Sequence, residues 1–239
     1  MTDDISDIQP EHRDPGHHHP GNGDTGEKPV VGGAAEGGAV PVDLGPAMRG
    51  VAALLDGVTD TLLSARTPCA EYPVAALLDH LMDLTVAFQH AVRKAEWIPR
   101  GSGGAKPAPP GAPRASADRL DPRWRELLPR QLDELAAAWR DPAAWVGTAE
   151  AGGVTMPAEA MGIVALDEVL VHGWDLARAT GQPYEPDRGS VEAVFGMLEE
   201  TASAEGVAGM FGPAVTVPDD APLWDRALGL VGRDPSWTP

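Results

Sequence analysis

The chain has one cysteine, two tyrosines and three phenylalanines, and aromatic side chains make up only 5% of its 239 residues. A single cysteine cannot form a disulfide within the chain, which fits a reducing cytoplasm. The sequence has no run of about eighteen apolar residues that would span a bilayer, and it does not open with a basic-then-apolar secretory leader. Together these absences predict a cytoplasmic protein.

Basic residues are scarce as well. The chain has 18 Lys and Arg residues against 36 Asp and Glu residues, which gives a formal net charge of -18 at pH 7. Such a charge repels the phosphates of nucleic acids and the headgroups of an anionic membrane. We therefore exclude both as partners and expect a small molecule.

The first 40 residues have the composition of a disordered tail. They are rich in Asp, Glu, Gly, Pro and His and show no apolar periodicity, so they cannot offset the entropy lost on ordering. Four of the seven histidines lie here: His12, His17, His18 and His19. They could bind metal weakly, but we favour a flexible polar tract. The predicted organisation is a tail over 1–40 and one domain over 41–239.

The domain itself reads as helical. Hydrophobic residues make up 43% of the chain, and alanine, the strongest helix former, supplies much of that share. Apolar residues recur at helical spacing in six segments: 42–64, 73–95, 118–140, 158–180, 190–204 and 223–231. We expect Pro129 to kink or divide the third helix, Gly181 to end the fourth and Ser190 to cap the fifth. Residues 99–115 should form a loop, and residues 154–156 a short extended piece.

The fourth predicted helix carries the most informative side chains. Glu168 and His172 are four residues apart and so project from one face, a spacing that suits two ligands on one metal ion. Asp175, three residues further on, lies on the same stripe; it could orient a ligand, bind a substrate cation or complete the coordination shell. Asp167 is rotated by about 100° and should point elsewhere.

A third ligand would have to come from another helix. His80 interrupts the apolar face of the second predicted helix, as Glu168 and His172 interrupt that of the fourth, and one metal ion would satisfy all three. The alternatives are a hydrogen-bonded core histidine and a solvated Glu–His pair. His90 falls on another face and is expected at the surface. Cys69 is open as a nucleophile, a fourth ligand or a packing residue, and we favour the last.

Three groups of residues resemble a known family. They are Thr67-Pro68-Cys69 with Val74-x-x-Leu77-Leu78-x-His80-Leu81, then Glu168-Val169-Leu170-Val171-His172-Gly173-Trp174-Asp175, and finally 211–218 with Gly232-Arg233-Asp234-Pro235. The first two resemble signatures of the DinB-like, mycothiol-dependent maleylpyruvate isomerase N-terminal family. The last resembles the ending of an actinobacterial metal-binding subfamily of that group.

The resemblance implies an all-α fold, a DinB-like four-helix bundle with extra short helices. It also implies a divalent metal, usually zinc, held by His80, Glu168 and His172, and a mycothiol cosubstrate whose thiol the metal activates for isomerisation or S-transfer. Such bundles often dimerise through a helical face, which leaves a homodimer open. The sequence departs from the family where Tyr72-Pro73 replaces the usual tryptophan and threonine cap. We also expect it to lack the isomerase's additional C-terminal domain.

These observations support a leading hypothesis and two alternatives. The leading one is a metal- and thiol-dependent transferase or isomerase that acts on a small electrophile, in which Asp175 orients His172 or contacts the thiol. The alternatives are a non-catalytic metal-binding scaffold in stress response and a metal-dependent hydrolase that uses bound water.

Overall fold

In a computed structural model, the protein is described over residues 42–93, 115–207 and 210–239. The predicted tail over 1–40 and nearly all of the predicted loop over 99–115 lie outside these ranges. The described elements are α1 (Gly45–Leu54), α2 (Val74–Val92), α3 (Trp124–Ala138), β1 (Thr148–Ala151), β2 (Val154–Pro157), α4 (Ala158–Thr180), α5 (Arg188–Thr201) and α6 (Leu223–Leu230).

The first four helices form a bundle. α1 and α2 each pack against both α3 and α4, so the helices alternate around a shared core, while α5 packs against α4 and α6 against α5. The core is built largely from leucines with no more than 1% exposure: Leu44, Leu77, Leu78, Leu81, Leu128, Leu132, Leu135, Leu166, Leu170 and Leu176. Each stabilises the fold by about 1.5–3 kcal/mol through burial. The prediction of an all-α bundle is confirmed.

The central helix is α4, which begins and ends as the sequence predicts. Gly181 follows its last residue with φ of 69°, in the left-handed conformation that glycine adopts without strain. Between Ala165 and Ala177, every residue except Glu168 is buried. Over this stretch the helix therefore has core contacts on nearly its whole circumference, and the half-buried Glu168 marks an opening towards solvent.

Other helices differ from the prediction at their ends. α1 stops at Leu54 and continues as two short 3₁₀ turns, because the Gln182 amide donates to the Leu54 carbonyl at 2.9 Å and lies against Gly57. That bond satisfies a carbonyl left free at the helix end. In α5, Asp187 is the capping residue instead of Ser190, since its carboxylate accepts from the Ser190 backbone N–H at 3.0 Å.

The third helix and the extended piece also differ from the prediction. α3 begins at Trp124, after a 3₁₀ turn over Ala117–Arg119, and runs past Pro129 without dividing. Val154–Pro157 pairs antiparallel with Thr148–Ala151 across the Gly152-Gly153 turn, where both glycines have positive φ. The predicted extended piece is thus half of a hairpin. None of the described helices is both long and apolar enough to cross a bilayer.

Candidate metal centre

Two helices bring three potential ligands together. His80 lies on α2, Glu168 and His172 lie on α4, and these helices pack against each other. Glu168 Oε2 is 3.7 Å from His80 Nε2 and 3.3 Å from His172 Nε2. One ligand atom from each of the three residues lies within 4.8 Å of the other two. The structure therefore gathers the three side chains that the sequence singled out.

These separations fit a single ion. Nitrogen and oxygen ligands about 2.0–2.1 Å from a tetrahedral zinc ion are about 3.3 Å apart, close to the separations of 3.3 and 3.7 Å between Glu168 Oε2 and the two histidines. Two imidazoles and one carboxylate are a common donor set for zinc, and three protein ligands leave a position for an exogenous ligand. The three side chains thus form a group that could hold a divalent ion.

The opening beside Glu168 gives the cluster limited access to solvent. The side chains of His80 and Glu168 are 17% and 23% exposed, against 9% for His172. Burial lowers the pKa of His80, although Glu168 opposes this effect. Burial alone would raise the pKa of Glu168, but the nearby His172 and His80 side chains outweigh it and hold that pKa below its ordinary value. At neutral pH, Glu168 is therefore anionic and His80 is largely neutral.

His172 lies between two carboxylates. Its Nε2 faces Glu168, and its Nδ1 is 2.9 Å from Oδ2 of Asp175, a side chain with no exposure to solvent. Burial lowers the pKa of His172, yet the bonds to Asp175 and Glu168 prevail and raise it to about 9. In the protein without metal, the ring therefore carries a proton that an ion must displace.

Arg233 completes this network, and the sequence reasoning did not select it. Its Nε donates to Oδ1 of Asp175 and its Nη2 to Oδ2, each at 2.9 Å. Burial tends to raise the pKa of Asp175, but His172 and Arg233 together lower it, so the carboxylate is ionised. Arg233 is 58 residues from Asp175, so no local pattern links them. Its only sequence signal is the Gly232-Arg233-Asp234-Pro235 ending.

Cys69 also lies beside the centre. One ligand atom each from Cys69, His172 and Asp175 lie within 4.8 Å of one another, and this set shares only His172 with the set of His80, Glu168 and His172. Burial raises the pKa of the thiol, with Arg233 opposing. The sequence left Cys69 open as a nucleophile, a ligand or a packing residue; the structure adds that its thiol is near the candidate ligands.

A buried hydroxyl organises the loop that carries Cys69. Thr67 is 5% exposed, and its Oγ1 lies 2.9 Å from the Cys69 carbonyl and 2.7 Å from the Tyr72 carbonyl. This loop directs Tyr72 towards the centre, where its ring centroid is 5.0 Å from that of His80 and 6.5 Å from that of His172. Tyr72 thus provides an aromatic wall beside the two histidines.

Asp167 and His90 were both expected to point away from the candidate ligands. Asp167 is outside both ligand sets of the described residues, in line with its predicted direction, but it is only 2% exposed and its Oδ1 has no hydrogen-bond partner there. Burial raises its pKa to about 8. His90 was expected at the surface, and it is half-buried, on a side of α2 where Val86 is also only half-buried and Arg93 is exposed.

Comparison with known proteins connects this geometry to a family. The model of the mycothiol maleylpyruvate isomerase N-terminal domain matches residues 44–177. Similar solved structures are the mycothiol-dependent maleylpyruvate isomerase (17% identity, TM-score 0.48) and its histidine-to-alanine mutant (18% identity, TM-score 0.49). Each similarity covers 65% of this chain and 66% of the isomerase chain, slightly less than two thirds of its length. No curated protein matches the chain. Because the matched segment includes over half of the chain and all three candidate ligands, the protein belongs to the mycothiol maleylpyruvate isomerase N-terminal domain family.

Proposed function

We propose that the protein binds a divalent metal ion, with zinc as the first choice, and is a thiol-dependent transferase or isomerase. The cosubstrate would be mycothiol or a related low-molecular-weight thiol, and the substrate a small electrophile. The observation that carries the proposal is the convergence of His80, Glu168 and His172 at separations suited to one ion.

The three side chains would have distinct parts in binding. Glu168 supplies a carboxylate that is ionised at neutral pH, and His80 a neutral imidazole. His172 supplies Nε2 while its Nδ1 is bonded to Asp175. A divalent ion in this position supplies the positive charge that ionises a coordinated thiol at neutral pH.

The surroundings favour a small ligand that approaches from one side. Glu168 marks the opening of an otherwise buried stretch of α4, and the Tyr72 ring lines the histidine side of the centre. We propose that Asp175 orients His172 and does not contact the thiol, because both of its oxygens are already bonded to Arg233. The family match supports a thiol cosubstrate; the electrophile is set by side chains around the opening.

Metal binding is tested first. Zinc is titrated into the metal-free protein and into the His80→Ala, Glu168→Gln and His90→Ala variants. His90 is the matched control, since it lies on the same helix and outside the ligand sets of the described residues. We expect His80→Ala and Glu168→Gln to weaken binding strongly and His90→Ala to bind as the parent does. A full equivalent of tightly bound zinc in His80→Ala would refute the ligand assignment.

The thiol step is tested on the zinc-loaded protein. Mycothiol and an analogue without the sulfhydryl group are titrated separately, and the heat of binding is followed. Selective binding of the thiol supports transfer chemistry. If neither ligand binds, thiol-dependent chemistry is refuted, which would leave a metal-binding scaffold or a hydrolase.

A further inference from the structure

The backbone at the end of α6 fixes the position of Arg233. Gly232 has φ of 77°, its N–H donates to the Gly229 carbonyl at 3.1 Å, and the Arg233 N–H donates to the Leu228 carbonyl at 2.8 Å. These two bonds form a Schellman motif, which ends a helix and reverses the chain. Since Pro213 lies close to Gly232, a side chain there would clash with its carbonyl oxygen at 2.8 Å. The turn thus has both a conformational and a steric need for glycine.

From this turn the Arg233 side chain reaches into the protein. Only 11% of the side chain is exposed, and Nη1 donates to the Val231 carbonyl at 3.3 Å, while Nε and Nη2 hold the two oxygens of Asp175. A guanidinium that contacts both oxygens of a carboxylate fixes the plane of that carboxylate as well as its position. Lysine, with a single ammonium, cannot do this.

The orientation of Asp175 determines what it offers to His172. Its Oδ2 accepts from Arg233 Nη2 and is also 2.9 Å from His172 Nδ1. A carboxylate accepts only, so Nδ1 carries the proton and Nε2 points to Glu168. Histidine ligands of metals commonly have their second nitrogen held in this way, and loss of the holding group weakens metal affinity by roughly 10–100-fold.

We propose that Arg233 is a positioning residue of the metal centre, which locks Asp175 so that His172 presents Nε2 to the ion. This inference rests on the proposed function for the ion and adds that the segment after α6 completes the centre. Arg233 does not touch the ion or the substrate; it acts through Asp175 and His172. The close turn at Gly232 therefore has a functional role, because it places Arg233 against Asp175.

The test compares Arg233→Met and Arg233→Lys with Arg178→Met. Arg178 is the matched control because its Nη2 also ties the same segment to α4, at 2.8 Å from the Pro235 carbonyl, but it has no bond to Asp175 among the described residues. We expect the Arg233→Met protein to bind zinc roughly 10–100-fold more weakly, Arg233→Lys to fall between it and the parent, and Arg178→Met to match the parent.

A second readout does not depend on zinc. In the metal-free protein labelled with ¹⁵N-histidine, the Nδ1–H of His172 should exchange slowly with solvent; the signal is assigned by its loss in His172→Gln. We expect faster exchange in Arg233→Met and unchanged exchange in Arg178→Met. Unchanged exchange and parental zinc affinity in Arg233→Met would overturn the proposal.

The remaining outcomes are also decisive. If Arg233→Met does not fold, Arg233→Lys carries the comparison, and equality of Arg233→Lys and Arg178→Met in both readouts would overturn the proposal. If the parent protein itself binds no zinc, the proposed function fails, while the exchange rate of the His172 N–H still decides whether Arg233 positions that ring.

Discussion

Zinc binding should release about one proton per ion at pH 7. The source is His172, whose pKa is raised from 6.5 to about 9 by Asp175 and Glu168 against the effect of burial. An imidazole with that pKa is about 99% protonated at pH 7. Burial lowers the pKa of His80, so few His80 rings carry a proton at pH 7 that zinc could release. Glu168 is already ionised.

The magnitude follows from the same shift. Removal of a proton from a group with a pKa two units above the working pH costs about 2.7 kcal/mol, or about a hundredfold in apparent zinc affinity. The apparent affinity should therefore rise about tenfold per pH unit between pH 6.5 and 8.5 and level off towards pH 9. At lower pH, protonation of His80 should steepen the dependence.

The assay is calorimetric titration at pH 7 in buffers of different ionisation enthalpy, in which the slope of observed heat gives the protons released. Asp167, whose pKa is raised to about 8, is another acid that titrates in this range. In Asp167→Asn the release should stay near one proton. In Asp175→Asn it should fall, because His172 loses the partner that raises its pKa. A release near zero in the parent, or a zinc affinity independent of pH, would refute this reasoning.

The same shift affects stability without metal. Because the folded pKa of His172 is above its ordinary value of 6.5, the protonated ring stabilises the folded protein fully below pH 6.5. The contribution, about 3 kcal/mol, is lost as pH rises through about 9. Chemical denaturation of the metal-free protein should show this fall between pH 6.5 and 9, and His172→Gln should reduce it.

Two further predictions concern packing and the thiol. Gly173→Ala should lower the free energy of unfolding by about 1–3 kcal/mol, because a Cβ there would lie 2.6 Å from Val51 Cγ2 and 2.7 Å from the Tyr184 hydroxyl. Gly196→Ala, also in a helix but with nothing within 4 Å, should raise it by about 0.5–1 kcal/mol; urea denaturation in which both variants changed stability equally would contradict this. Burial raises the pKa of Cys69, so iodoacetamide at pH 8 should alkylate it more slowly than a free thiol. Labelling as fast as that of the free thiol would contradict the pKa shift.

The sequence predicted the ends of a helix correctly where the residues that determine those ends lie within the helix or next to it. α4 was predicted from end to end, because its apolar residues and the glycine at its C-terminus are signals within the segment itself. The C-terminal end of α1 was predicted ten residues too far along the chain, since that end depends on Gln182, 128 residues away from Leu54. Periodicity cannot reveal such a contact.

At the candidate site, too, prediction succeeded where the determining contacts lie within one segment. Glu168 and His172 share a face because of the geometry of one helix, which the four-residue spacing determines. His80 was selected by chemistry, as a polar residue on an apolar face, and its approach to the other two depends on how α2 packs against α4. The sequence left Cys69 open as a fourth ligand, but only the fold places it beside His172 and Asp175.

The sequence by itself determined the helical character of the chain, the bounds of its central helix and the three candidate ligands, because these depend on periodicity and residue chemistry over short distances. The i,i+3 spacing on one helix already offered Asp175 as a partner that orients His172. Only the tertiary structure decided that Arg233 holds Asp175. Contacts between residues 58 positions apart arise from packing of helices and turns, which is a property of the whole fold.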